Sequence, residues 1–298
     1  MADTFDVSVV IRTLNEAKWL PALLDAVYRQ NVDGMAVEVV VVDSGSTDGT
    51  FELASERGCN MVRIEKSDFT FGRSLNYGCA AAKGKWLVFV SGHCIPASDG
   101  WLAELVAPLR EGTCSYTYGR QVGREPLTKF SETQLFEKYF PQTSAVPQDG
   151  FFCNNANSAL TKAIWEEHQF DEELTGLEDM ELAKRLYLDG HKIGYVAEAT
   201  VEHIHEESWG QVKRRYEREA LALRDIMPEV TLGIRDCIRY ITAGVMFDFA
   251  AALRDRRLHR VAVDIIMFRT MQYVGIYKGN HLHRQVSRET KEKYFYPR

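Results

Sequence analysis

The run Val37–Val42 (VEVVVV) constrains the fold more than any other stretch. A strand so continuously apolar has to be buried on both faces, which is the signature of a parallel sheet covered by helices. Its neighbours repeat the alternation. Asp6–Arg12 (DVSVVIR) is a β-branched strand, and Glu16–Gln30 carries Trp19, Leu20, Leu23, Leu24 and Val27 at helical spacing. A helix follows near Phe51–Arg57, a short strand at Met61–Ile64 and another at Trp86–Val90. The expected fold is therefore an α/β sandwich, whose ligands bind at the carboxyl ends of the strands. That places the chemistry on the loops after Arg12, Val42 and Val90.

A chain of 298 residues can bury a full core, alone or with an appendage. Its six cysteines (59, 79, 94, 114, 153, 237) show no CxxC spacing, and the N-terminus does not read as a signal peptide. The expectation is a cytoplasmic protein without a disulfide framework or structural zinc. No run of eighteen apolar residues suggests a membrane span. The net charge of −6 conceals an asymmetry: residues 1–209 hold 18 Lys+Arg against 32 Asp+Glu, and residues 210–298 hold 18 against 10. A boundary near Ser208–Gly210 divides an acidic body (1–209) from a basic, almost continuously helical region (210–298). The acidic body and the lack of any recognisable motif argue against a nucleic-acid partner.

No GxGxxG follows the first strand and no GxxxxGK[ST] occurs, so phosphate-cradling loops of those kinds are excluded. The strand ends instead offer Asp43, Ser44, Ser46, Thr47 and Asp48, groups that suit a nucleobase and ribose or, more simply, a strand-to-helix turn capped by Asp48. Farther on, Gly176–Leu188 (GLEDMELAKRLYL) sets Glu178 and Asp179 at the start of an amphipathic helix anchored by Leu182, Leu186 and Tyr187. Acidic residues in a first turn can simply complement the helix dipole, worth roughly 0.3–1 kcal/mol. The other reading is a carboxylate anchored without burial at the edge of a cleft. Asn154, Asn155 and Asn157 add amides that both donate and accept, as sugar hydroxyls require.

VVIRTLNEAKWL (9–20), VVVVDSGSTDGT (39–50), FGRSLNYGCAAAKGKWLVFVSGHCIP (71–96), NNANSAL (154–160) and GLEDMELAKRL (176–186) together resemble family 2 glycosyltransferases of GT-A fold, most closely a branch that contains bacterial rhamnosyltransferases. The resemblance covers residues 5 to 210 and implies a nucleotide-binding αβα half, a central metal motif and an acceptor half closed by a catalytic base. It assigns Thr13, Asn15 and Glu16 to the border of the nucleotide and Asp43 to the base, with Asp48 and Ser44 in the same loop. Arg73 and Asn76 fall near the diphosphate and ribose, with Gly78 and Ala82 as packing positions. Arg120 and Gln121 face the sugar. Asp179 is the general base, and Glu178 its fallback.

Where the family usually has Asp-x-Asp, this chain has Ser91-Gly92-His93. Loss of both carboxylates should weaken Mg²⁺ binding, whereas Mn²⁺ accepts imidazole. His203 and His205 stand two apart on an extended segment and share a face. Three readings remain open: a metal site of His93, His203 and His205, which the resemblance favours, a metal-free site where imidazolium and Arg neutralise diphosphate, or ordinary polar histidines.

The basic region reads as three helices, Trp209–Asp225, Ile234–Leu253 and Leu258–Tyr277. They pack on the body or another subunit, or else dock on the cytoplasmic face of an anionic inner membrane. The combined expectation is an inverting glycosyltransferase that moves a sugar from a UDP- or dTDP-linked donor to a glycan or lipid-linked acceptor in bacterial surface polysaccharide synthesis. A non-catalytic sugar-nucleotide binder and a nucleotidyltransferase are the alternatives. The second usually needs a glycine-rich loop after the first strand, and Thr13–Lys18 has no glycine.

Overall fold

The computed structural model describes residues 5–281. They form two compact units. The first comprises residues 5–122, Phe140–Glu173 and Glu178–Ile204, and the second Gly123–Tyr139, Leu174–Leu177 and residues 205–281. The second unit thus takes two segments from within the acidic part of the sequence.

The first unit is built on an eight-stranded sheet, in the order β3-β2-β1-β4-β7-β6-β8-β5. Its strands are β1 (Val7–Thr13), β2 (Val37–Asp43), β3 (Asn60–Arg63), β4 (Trp86–Ser91), β5 (Cys94–Pro96), β6 (Tyr116–Gly123), β7 (Asn157–Thr161) and β8 (Ile193–His203). The half β3-β2-β1-β4 is parallel, as the apolar run at Val37–Val42 required. β7 pairs antiparallel with β4 and β6, and β5 antiparallel with β8. Parallel register sets Thr13 opposite Asp43 and Arg12 opposite Ser91, so three strand ends finish level at one edge. This edge positions the loops that carry the chemistry.

Helices α1 (Leu20–Tyr28), α2 (Thr50–Glu56), α3 (Phe71–Ala81), α4 (Trp101–Arg110), α6 (Lys162–Glu167) and α7 (Glu178–Leu188) cover the sheet. The core joins Val9, Ile11, Val39, Val41, Val88 and Val90 to Leu20, Leu23, Leu24, Trp101 and Leu105, all buried. Gly78 lets α3 lie against the strands: a Cβ there would meet Val10 Cγ1 at 2.5 Å and Val42 Cγ2 at 2.9 Å. In α7, Leu182 and Leu186 are fully buried, but Tyr187 is exposed rather than part of the anchor.

The second unit contains α5 (Phe130–Tyr139), α8 (Trp209–Ile226), α9 (Ile234–Arg254) and α10 (Leu258–His281). A capping box of Ser208 and Gln211 starts α8. Arg215 turns inward to Glu132 (2.5 Å) and Glu207 (2.7 Å). The charges that interrupt α9 and α10 meet in the interior: Arg269 Nε and Nη2 each lie 2.7 Å from Asp248, and Gln272 accepts from Nη1 at 2.9 Å. Among the described residues no helix is long and apolar enough to cross a membrane.

Candidate active site

The loops after β1 and β2 are stitched into one rigid cradle. Asp43 Oδ1 accepts the amides of Gly45 and Ser46 at 3.0 Å, while Oδ2 accepts Thr13 Oγ1 at 3.1 Å and the Ser46 hydroxyl. Ser44 Oγ donates to the Thr13 carbonyl, and Asn15 Oδ1 accepts the Thr47 amide at 2.9 Å. Asp48 joins the same lattice through the Ala17 amide and Thr50. Burial pushes the Asp48 carboxyl up, but the hydrogen bonds from Thr50 and Ala17 outweigh it and hold it below its usual value. Asp43 was expected to hold a base with its carboxylate. With four contacts inside the loop and 3 % exposure, it instead fixes the backbone around that position.

Arg73 and Asn76 do a second structural job. Arg73 Nε lies 2.7 Å from Glu172 Oε2. Asn76 donates to the Phe170 carbonyl and Glu172, and accepts from Trp165 Nε1 and the Phe170 amide. All four bonds an asparagine side chain can make are used. These residues clamp the segment at 170–172 to α3, and Asn76 has nothing left to offer a ribose.

At the start of α7, Glu178 is 3 % and Asp179 7 % exposed, so the pair is buried rather than standing open at the edge of a cleft. Arg12, at the end of β1, reaches Glu178 Oε1 with Nη1 at 2.9 Å and also donates to the Phe71 carbonyl. Sequence reasoning missed Arg12, although a cation ending a strand as apolar as VVIR already signalled an acidic partner. Asp179 Oδ2 accepts the Asn155 amide at 2.7 Å and Oδ1 accepts Met180 N at 2.8 Å. Burial first, and then the neighbouring Glu178 charge, push the Asp179 carboxyl up to about 7, against the pull of the Asn155 and Met180 amides. One carboxylate is held by a guanidinium, and its neighbour is left ready to exchange a proton near neutrality.

The Asn cluster divides. Asn157 is consumed by Trp101 Nε1, the Arg120 carbonyl and the Ala199 carbonyl. Asn155 Oδ1 accepts from Ser158 and Tyr116, but its Nδ2 is buried without a protein partner, as is Arg120 Nε. Buried donors of this kind normally have a partner, so both suit a ligand oxygen.

Ser91-Gly92-His93 turns β4 into β5. The pairing of Cys94 with His203, and the Ile204 amide on the His93 carbonyl, draw the two histidines together. Their Nε2 atoms lie 3.2 Å apart and the rings are stacked at 5.2 Å. His93 Nδ1 meets Glu16 Oε1 at 2.8 Å across Gly92, where a Cβ would strike Glu16 Cγ at 2.8 Å. His203 Nδ1 meets Gln121 Oε1 at 2.7 Å, and Gln121 Nε2 donates to Asn154 Oδ1 at 2.9 Å. Glu16, Gln121 and Asn154, assigned from sequence to donor or sugar, thus surround the histidines instead. His205 belongs to the second unit, where its Nδ1 lies 2.7 Å from Glu132 Oε1. Burial would raise the Glu132 carboxyl, but His205 and Arg215 together bring it down to about 2.

A divalent ion suits the His93–His203 pair. Their Nε2 atoms face one another at 3.2 Å, close to the span of adjacent nitrogens on an ion with bonds of about 2.0–2.1 Å.

The description glycosyl transferase family 2 matches residues 8–168. The chain is 27% identical over 221 residues to the O-antigen chain rhamnosyltransferase RfbN of Salmonella typhimurium, covering 70% of each chain. To the O-antigen chain rhamnosyltransferase WbaN of Salmonella anatum it is 26% identical, covering 60% of each. Among solved structures it is similar to the mannosyltransferase PcManGT of Pyrobaculum calidifontis in complex with GDP-Man and Mn²⁺. That likeness has a TM-score of 0.62 and 17% identity, and covers 93% of this chain and 85% of that one. The sheet, its covering helices and the loops at the level strand ends are those of the GT-A fold. This chain belongs to glycosyl transferase family 2 and is a glycosyltransferase.

Proposed function

We propose that the chain transfers a sugar, with inversion, from a nucleoside-diphosphate donor to a hydroxyl of a glycan or lipid-linked acceptor in bacterial surface polysaccharide synthesis. The observation that carries this reading is Asp179, a buried carboxyl pushed up to about 7 beside an ion-paired Glu178. In an inverting transfer the acceptor hydroxyl attacks the anomeric carbon while its proton passes to one base, and the nucleoside diphosphate leaves from the opposite face. Asp179 takes that proton, through a contact of about 2.6–3.2 Å in the productive complex. Glu178 is tied to Arg12, and its charge beside Asp179 raises the Asp179 carboxyl. Asn155 Nδ2 and Arg120 Nε serve sugar or acceptor oxygens. The cradle of Thr13, Asn15, Asp43, Ser44 and Asp48 presents its backbone to the nucleotide, and Ser91 and Gly92 border the diphosphate. A divalent ion held by His93 and His203 would supply positive charge for the leaving diphosphate.

The test incubates the chain with UDP- and dTDP-sugars and a glycan acceptor, and follows nucleoside diphosphate release with the anomeric configuration of the product by NMR. Release coupled to a product of inverted configuration is expected. Retention, or pyrophosphate release from a nucleoside triphosphate, would overturn the reading.

The second unit supports work at a bilayer. On α9, Ile238, Met246, Phe247 and Leu253 are each at least 60 % exposed, next to exposed Arg235, Arg239 and Arg254. Apolar side chains flanked by arginines fit an anionic interface, each cation adding about 1 kcal/mol near the surface. The chain should co-sediment with vesicles containing phosphatidylglycerol and not with purely phosphatidylcholine vesicles. Met246→Glu with Phe247→Glu should reduce that binding at least tenfold, and an unchanged value would exclude this face.

A further inference from the structure

Asn155 brings two different donors to the neighbourhood of the proposed base. Its backbone amide donates to Asp179 Oδ2 at 2.7 Å, and its side-chain Nδ2 is buried without a protein partner. The side-chain amide is held against turning. Ser158 Oγ donates to Asn155 Oδ1 at 2.6 Å and Tyr116 Oη donates to the same atom at 2.5 Å, and both hydroxyl-bearing residues are fully buried. Burial, and then Cys153 and Asp179, hold the Tyr116 phenol well above its usual value, so it keeps the proton that it donates. Two hydroxyl protons on one atom make that atom the amide oxygen, and Nδ2 is directed away from them.

A buried N–H left unbonded is costly, and native structures keep few of them. Beside a base, the missing acceptor has a source: the molecule whose proton the base takes. Its attacking oxygen is a poor partner. That oxygen gives up electron density as it adds to the anomeric carbon, and a donor on its remaining lone pair would oppose the change. The next hydroxyl on the same ring carries no such penalty. Neighbouring hydroxyls in gauche arrangement stand roughly a hydrogen-bond length apart, so an acceptor that sets one of them on Asp179 brings the other toward the residue whose backbone already touches that carboxylate.

We infer that Asn155 is a specificity-determining residue that reads the hydroxyl next to the attacking one, with Tyr116 and Ser158 as the residues that position it. The acceptor class is then a sugar bearing a vicinal diol. The inference rests on the proposed transfer to an acceptor hydroxyl with Asp179 as base, and deepens it.

The experiment supplies the full chain with UDP- and dTDP-sugars and with methyl glucoside, galactoside, mannoside and rhamnoside. It then compares kcat/KM for the glycoside that accepts best with that of its monodeoxy analogues. Removing the hydroxyl next to the attacked one should cost the parent at least about 100-fold, because the site then closes over an unpaired donor. Asn155→Ala should bring that ratio to within about threefold of unity while nucleoside-diphosphate affinity stays at the parent value. A ratio also cancels any loss of folded protein, which affects both acceptors alike. Tyr116→Phe, which releases the amide without removing it, should lower the ratio about tenfold, whereas a Tyr116 that only supports the fold would leave it unchanged. A parent ratio near one, or an undiminished ratio in Asn155→Ala, would overturn the inference and leave the transferase reading standing. A parent that releases no nucleoside diphosphate with any glycoside would overturn that reading, and the inference with it.

Discussion

Replacing Asp179 by Asn is expected to lower the transfer rate by about 10²–10⁴-fold while leaving nucleotide affinity nearly unchanged. The substitution conserves volume beside Asn155 and Met180 but removes the only uncommitted proton acceptor of the pair, since Arg12 holds Glu178. The pH profile carries the assignment further. With the folded-state carboxyl near 7, the parent rate should rise about tenfold per unit below that pH and level above it, with the apparent value belonging to the coupled pair. Asp179→Asn should lose that limb. Stability moves the other way. A carboxyl whose folded value is raised from 3.8 binds a proton that the unfolded chain releases, so its stabilising share is complete below about 3.8 and is lost as pH rises through about 7. Above neutrality the Asn variant should therefore be more stable than the parent, by an amount on the order of a few kcal/mol. Equal turnover in parent and variant would remove Asp179 as base, and a protein that only binds sugar nucleotides would show no turnover to lose.

The fold was legible because its strongest signals are local. VEVVVV and WLVFV are apolar on both faces, as strands covered by helices on both sides must be, and the parallel register of β1, β2 and β4 then levels Thr13, Asp43 and Ser91 at one edge. The candidate site was legible in its membership more than in its division of labour. Glu16, Asn154 and Gln121 were singled out as ligand contacts, yet they anchor histidines, because a hydrogen-bonding side chain looks the same in sequence whether it faces substrate or a neighbour. Asn76 shows the same limit: its four partners come from Trp165, Phe170 and Glu172, about ninety residues away. Burial of Asp179 was also hidden. The amphipathic pattern of α7 locates Leu182 and Leu186, but what covers the first turn is β1, through Arg12, and the Asn155 backbone.

Asp248→Leu is expected to destabilise the second unit by about 3–5 kcal/mol, because it strands the buried Arg269 guanidinium with Gln272 as its remaining hydrogen-bond partner. Asp248 is fully buried and Arg269 only 5 % exposed, so water cannot replace the lost partner. Replacing both, Asp248→Leu with Arg269→Met, removes the uncompensated charge along with its partner and should return most of the stability, or exceed the parent by about 1–4 kcal/mol. A double-mutant cycle read by urea denaturation separates these cases: a large positive coupling identifies a charge pair, and additive losses would mean that Asp248 contributes by packing alone. The result bears on function through geometry. Asp248 lies between Met246–Phe247 and Leu253 on α9, so the helix that presents the exposed apolar and basic side chains is pinned to α10 by this pair. If that pinning sets the face for the bilayer, Asp248→Leu should weaken binding to anionic vesicles while transfer to a short soluble acceptor persists, and the double replacement should restore it.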